Sequence, residues 1–252
     1  MAKRVGAGVR EKLRRAHMHR EDFERRVKRF GNSGAYTEIR QDDVEARKRR
    51  WIVQIDRRPP LIRWGALIGE CLFNFRSALD HLVYDLAVAN KGHPLPARVE
   101  ENVEFPIFTK RAPDSEELHK RIGTLKPGAQ RLIERMQPYG RKNRAALKYL
   151  HELQNFDKHR TLHLVVAVTT TVTYFGDLEF DFLNVGPLKH DDILAEAPIA
   201  GDSESQQNPK FSYGVAFSEA GPGAKARDVV QTLDLIGRHI ERHVIPPLLT
   251  FL

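Results

Sequence analysis

Near residue 161 the apolar pattern of this chain changes its period, and that change limits the folds open to it. Upstream, apolar side chains recur every three or four residues. In LHLVVAVTTTVTYF (162–175) they recur every second residue, so Leu164, Val166, Val168, Val172 and Tyr174 share one face with Thr170. The first spacing belongs to amphipathic helices, the second to half-buried strands. Phe175-Gly176-Asp177-Leu178 predicts a hairpin turn, with LEFDF returning and Leu178, Phe180 and Phe182 facing inward. A third strand is expected at 193–197, a loop over 201–209, and FSYGVAF (211–217) alternates again.

Helices are expected on either side of this β region. Residues 9–30 form one, with Leu13, Ala16, Phe23, Val27 and Phe30 on a stripe that Arg20 interrupts, stopping at Gly31-Asn32. A strand pair follows, 35–41 and 46–56, with Asp42-Asp43 as its turn and Trp51, Val53 and Ile55 alternating. Pro59-Pro60 opens a long helix over 61–89. In the proline-rich stretch that comes next, Phe105, Ile107 and Phe108 predict a loop packed against the core. Shorter helices are expected near 114–122, 127–137 and 142–158, punctuated by MQPYG at 136–140. Residues 225–245 close the chain as a helix with Val229, Leu233, Ile236 and Ile240 in register, ended by Pro246-Pro247.

The fold class is therefore α+β: a helical core interrupted by an antiparallel sheet, with a C-terminal helix returning to the core. We read 1–252 as one domain. Its parts are a basic helix and hairpin (1–58), a helical core (59–160), the sheet (161–219) and the last helix (225–252). No stretch of eighteen apolar residues is present, so no membrane span is expected. The basic start MAKRVGAGVREKLRR has no apolar segment after it, which argues against a secretory signal. Cys71 is the only cysteine, so neither an intrachain disulfide nor a cysteine metal site can form, and a cytoplasmic location is expected. Cys71 falls on an apolar helix face, as a small core residue.

The stretch LIGECLFNFRSALDHLVYDLA (67–87) carries the most chemistry. Ile68, Leu72, Phe75, Leu79, Leu82 and Leu86 make a buried stripe. On the far side Glu70, Asn74, Ser77 and His81 line up, extended by Tyr84 and Asp85, and Arg76 lies one turn from Asp80. One alternative for such a row is a structural polar network. The other is a site. Histidine exchanges protons near neutral pH, and the arginine fork holds phosphate.

Arg76 and His81 have the spacing Arg-x4-His. This resembles the Arg-x4–6-His signature of the HEPN ribonucleases, helical proteins of toxin and defence systems. The resemblance implies a metal-independent endoribonuclease, a toxin or phage-defence effector with no cofactor. His81 would act on the 2′-hydroxyl and Arg76 on the scissile phosphate. It also implies a homodimer, in which the motif meets its copy. Arg14/His19 and Arg238/His243 share the spacing; Arg76/His81 is singled out by its long helix, by Ser77 and by the polar row. Taken together, RSALDHLVYDLA, EFPIFTK, MQPYG and NFDKHR, in this order, are similar to a widespread set of bacterial and phage proteins of unassigned activity, over roughly residues 35–165. That likeness implies a shared fold and a shared polar site.

HELQNFDKHR (151–160) gives a second constellation, with His151, Asn155 and His159 on one helical face. It is not the zinc motif His-Glu-x-x-His, because Asn155 stands at the second ligand position, and no metal is expected. Two facing helices could pool His81 with Asn155, Asp157, Lys158, His159 and Arg160. Lys158 to Arg160 could equally offset a helix dipole.

Charge is distributed unevenly. Residues 1–63 hold 19 Lys/Arg against 9 Asp/Glu, an excess of +10, and the other 189 hold 22 against 24, which is −2. This suggests a polyanionic partner such as RNA or the ribosome, contacted by Arg14, Arg15, Arg25, Arg26, Arg29, Arg49 and Arg50. A merely solubilising basic face is the alternative. GPGAKAR (221–227) reads as turn chemistry, and Trp51 and Trp64 as core. Three functions stay open: the ribonuclease, a non-catalytic RNA- or ribosome-binding module, and a protein–protein scaffold.

Overall fold

The computed structural model describes residues 6–109, 115–139, 145–160, 162–173, 179–199, 209–218 and 227–252. The turn expected at Phe175–Leu178 lies outside the described residues. So do the expected 201–209 loop except Pro209, GPGAKAR except Arg227, and the side chains of Val168, Thr170 and Tyr174.

Two long helices set the frame. α1 (Ala7–Gly31) and α2 (Leu61–Lys91) pack antiparallel: Gly8 meets His81, Ala16 meets Cys71 and Phe23 meets Trp64. The stripe that α1 buries runs Val9, Leu13, Ala16, Phe23, Val27, Phe30, spaced four and three apart. Arg20 interrupts it for a reason. Its guanidinium reaches Asp234 on the last long helix at 2.8 Å and Glu24 at 3.1 Å. α2 buries the expected stripe, Ile68 to Leu86, and Cys71 is fully buried, its thiol donating to the Ala16 carbonyl at 3.2 Å.

Short helices α3 (Ala97–Glu100), α4 (Ser115–Ile122) and α5 (Pro127–Met136) lead to α6 (Ala145–His159), which crosses α2. α7 (Val229–His239) brings Val229, Leu233 and Ile236 into the same core. The expected stop at Pro246-Pro247 is not where the helix ends. A π turn at Ile240–Val244 leads into α8 (Ile245–Leu248), whose first turn holds both prolines. First-turn N–H groups need no helical acceptor, so proline is tolerated there.

Among the described residues the strands form two antiparallel sheets, so the class is α+β. β1 (Tyr36–Asp43), β2 (Lys48–Ile55), β5 (Ile193–Pro198) and β4 (Phe182–Leu183) make one, in the order β1-β2-β5-β4. β3 (Leu164–Thr173) pairs with β6 (Lys210–Phe217) in the other. Two expectations change. Asp42 and Asp43 close β1 rather than forming the turn. Asp42 is held in the strand by Arg40 and Arg49, while Asp43 accepts the Ala46 N–H and the turn passes through Arg47 at φ 51°. Residues 182–183 do not return along β3; they pair with Ala195 and Glu196, and Phe182 is exposed while Phe180 lies on Trp51. Tyr36, Trp51, Val53, Val166, Leu194 and Phe211 fill the space between the sheets. Phe30 packs against both this core and the helical one. No helix among the described residues is long and apolar enough to cross a membrane.

Candidate functional site

Gly69, Arg76 and Asp80 share one face of α2, spaced seven and four apart, and this face meets α6, α4 and the loop before α4. The Arg76 side chain is 12% exposed. Its Nε lies 3.3 Å from Asp80 Oδ2 and its Nη2 3.5 Å from Glu104 Oε2. Arg121 joins Glu104 at 2.5 Å and Glu117 at 2.7 Å, which extends the chain of charges onto α4. Burial raises the Asp80 carboxyl above the usual range, opposed by Arg76 and by the Phe105 N–H that Asp80 Oδ1 accepts at 3.0 Å. Gln137, 1% exposed, ties the same loop: its amide oxygen accepts the Phe108 N–H at 2.9 Å, and its amide nitrogen donates to the Pro106 and Ile133 carbonyls. RSALD, EFPIF and QPY thus meet in one hydrogen-bonded knot. Beside it a polar cleft of about 390 Å³ is lined by Asp80, Glu104, Glu117, Lys120 and Arg121.

His81 faces elsewhere. It is exposed, and its ring lies where a Cβ on Gly8 would overlap it, so a side chain at residue 8 would have to displace the ring. Asp85, one turn on, lies beside Gly6; burial raises its carboxyl, and the neighbouring His81 charge opposes this. In the expected polar row Asn74 is buried and donates to the Glu70 carbonyl at 2.8 Å, Ser77 is half-buried, and Glu70 is exposed. Arg76 and His81 therefore meet different neighbours.

α6 brings Asp157 onto Gly69, where a Cβ would overlap its carboxylate. Burial and the nearby Glu70 raise the Asp157 carboxyl. From residue 69 to residue 81 the helix rises about 18 Å, so Asp157 and His81 occupy separate stretches of α2. Lys158, His159 and Arg160 are exposed. Asn155 lies 2.9 Å from His151 Nε2.

Sequence reasoning did not place His151, Glu104 or Arg121 in the site. Burial and the positive fields of Arg76, Lys158 and Arg121 push the His151 imidazole below its usual range, so it is a neutral base at pH 7. The histidine in the field of Arg76 is thus His151, from the second constellation. A periodic polar face on α6 was the available signal; that it would meet Arg76 depends on how the helices cross.

Six of the seven arginines expected to meet a polyanion have intrachain partners. Arg14 and Arg15 share Glu11 at 2.8 and 3.0 Å, Arg25 and Arg26 share Asp22 at 3.4 and 2.8 Å, Arg49 meets Asp42 at 2.9 Å and Arg50 meets Glu196 at 2.6 Å. Arg29 has none among the described residues. The α1 pairs lie in solvent and restrain their arginines only weakly, whereas Arg49 and the Glu196 partner of Arg50 are more enclosed. No family model, curated protein or solved structure matches the chain.

Proposed function

We propose that the chain binds RNA, free or in the ribosome, through the basic surface of α1 and the β1–β2 hairpin. One observation carries the reading: residues 1–63 hold an excess of +10 while the remaining 189 hold −2. The guanidinium groups of Arg14, Arg15, Arg25 and Arg26 are more than half exposed, and their carboxylate partners are weak competitors for a phosphate. Binding through phosphates releases counterions, so affinity should fall steeply as salt rises. The test is a salt series with a single-stranded and a duplex RNA, with ribosome co-sedimentation as a separate arm. The triple variant Arg25→Glu, Arg26→Glu, Arg29→Glu should weaken binding and leave the thermal midpoint nearly unchanged. Salt-independent binding, or none at low salt, overturns the reading.

A second reading is cleavage of the bound RNA without a metal. The His151 imidazole, its pKa lowered by burial and by the cations Arg76, Lys158 and Arg121, the last of which lines the polar cleft beside Asp80, favours it. In such a step the 2′-hydroxyl gives its proton to a histidine and attacks phosphorus, the 5′-oxygen leaves with a proton, and a 2′,3′-cyclic phosphate remains. The resemblance to the HEPN signature implies His81 for the histidine role. Arg76 and His81 project about 140° apart, so that version requires a homodimer. His81→Ala and His151→Ala, each assayed with EDTA present, separate the two histidines. Cleavage unaffected by both, or abolished by EDTA, ends this second reading.

A further inference from the structure

At one edge the two sheets stand apart, and residues 188–191 strap them together. The Leu188 N–H donates to the Val166 carbonyl of β3 at 2.9 Å, and the Asp191 N–H donates to the Val53 carbonyl of β2 at 2.8 Å. Between them His190 Nδ1 accepts the Ile55 N–H at 2.9 Å. Bounded by this strap and the start of α2 is a cavity of about 750 Å³, well within the range of small-ligand sites.

Its walls are mainly apolar, with Ile55, Leu61, Leu164, Val166 and Leu188 among them. Its rim is cationic. Arg58 and Lys189 both line it, and neither side chain meets a carboxylate among the described residues, unlike most arginines of α1 and the hairpin. Because His190 Nδ1 accepts a hydrogen bond, the ring's proton sits on Nε2, which lies 3.5 Å from Asp191. Tyr36, only 9% exposed, is a wall residue whose hydroxyl has no hydrogen-bond partner among the described residues. Burial raises this phenol to about 12, so it remains a donor at neutral pH. A half-enclosed apolar space with two cationic side chains at its mouth that pair with no carboxylate among the described residues, and a hydroxyl without a partner in its wall, suits a molecule that is apolar along its length and anionic at one end.

We propose that this cavity binds a small apolar carboxylate, its tail between the sheets against Leu61, Leu164 and Val166 and its carboxylate among Arg58, Lys189 and Tyr36. The Asp192 carboxylate, which accepts the Lys189 backbone N–H at 2.6 Å, offsets part of the charge of Arg58 and Lys189, so the mouth suits a monoanion better than a phosphate dianion. The site is separate from the arginines assigned to RNA, so either reading can fail without the other.

Calorimetric titration of the full chain with decanoate, decan-1-ol and decyltrimethylammonium tests it. Decanoate should bind once per chain, about tenfold or more tighter than the alcohol, and the cation should not bind. Arg58→Glu with Lys189→Glu, both exposed positions, should remove the preference for decanoate and leave alcohol binding in place. Leu61→Trp, at a half-buried helix start, should fill the space and abolish binding of both; its thermal midpoint reports whether it folds. Equal affinity for decanoate and decanol, decanoate binding that survives Leu61→Trp in a folded variant, or no saturable binding of decanoate would each overturn the proposal.

Discussion

Asp157 is a carboxylate placed where a negative charge is disfavoured. It is partly buried against Gly69, stands near Glu70, and its pKa is raised above 3.8. A carboxyl whose folded pKa is raised binds its proton more tightly in the folded state. Its charge therefore weakens folding above the raised pKa, and that penalty disappears below the unfolded value. Asp157→Asn should stabilise the protein at pH 7 by about 0.2–0.5 kcal/mol, the scale of a like-charge pair on a helix surface. The gain should be largely lost near pH 3, below the unfolded carboxyl value of about 3.9. Urea unfolding at the two pH values checks this, and an equal gain at both would contradict it. Asp80 differs although burial raises it too, because it has partners to lose. Asp80→Ala strands the Phe105 amide and one side of Arg76, at a cost of about 1–3 kcal/mol. Asp80→Asn keeps the acceptor for Phe105 and should cost less than half as much in the same unfolding experiment.

At the scale of elements, Gln137 does for the Phe105–Phe108 loop what a strand pairing does for an edge. It holds Phe108, Pro106 and Ile133 through three hydrogen bonds from one buried amide. Gln137→Ala should cost about 2–4 kcal/mol through stranded backbone groups and a small cavity. Hydrogen exchange should accelerate at Phe108 well before the helices open; uniform acceleration across the chain would contradict this local role. The long elements were legible because their signals are local. α1, α2 and α7 follow from a 3.6 period, and β2 and β6 from alternation of large apolar residues in the sequence, although residues 214–217 of β6 are all buried. What was not legible is pairing across distance. Phe182 faces Glu196 rather than β3, and the hairpin of residues 36–55 joins strands near residue 195, because those partners are selected by the space between two sheets. The candidate site divides the same way. Arg76 and Asp80 are neighbours by helical spacing, whereas Glu104, Arg121 and His151 reach them only through the packing of α4 and α6 on α2.

At the scale of the whole molecule, the basic quarter is both a charged surface and a structural wall. α1 buries Val9, Ala16 and Phe23 against α2, and on α2 the side chains of Trp64, Cys71, Leu72, Phe75 and Ala78 belong to the same core. Uncovering a side chain of Val, Leu or Phe size costs about 1.5–3 kcal/mol. Half a dozen such losses reach or exceed the 5–15 kcal/mol that holds an ordinary domain together. Arg20 adds a pairing to Asp234 that ties α1 to α7 as well. The proposed polyanion surface therefore cannot be dissected by truncation, only by changing its outward charges. A chain starting at Ala35, which deletes α1, should lose its cooperative thermal transition and aggregate, whereas the Arg25/Arg26/Arg29 charge reversal should melt close to the wild type. A truncated chain with a sharp, reversible transition would show that α1 is an appendage, and would move the fold's centre onto α2, α6 and α7 alone.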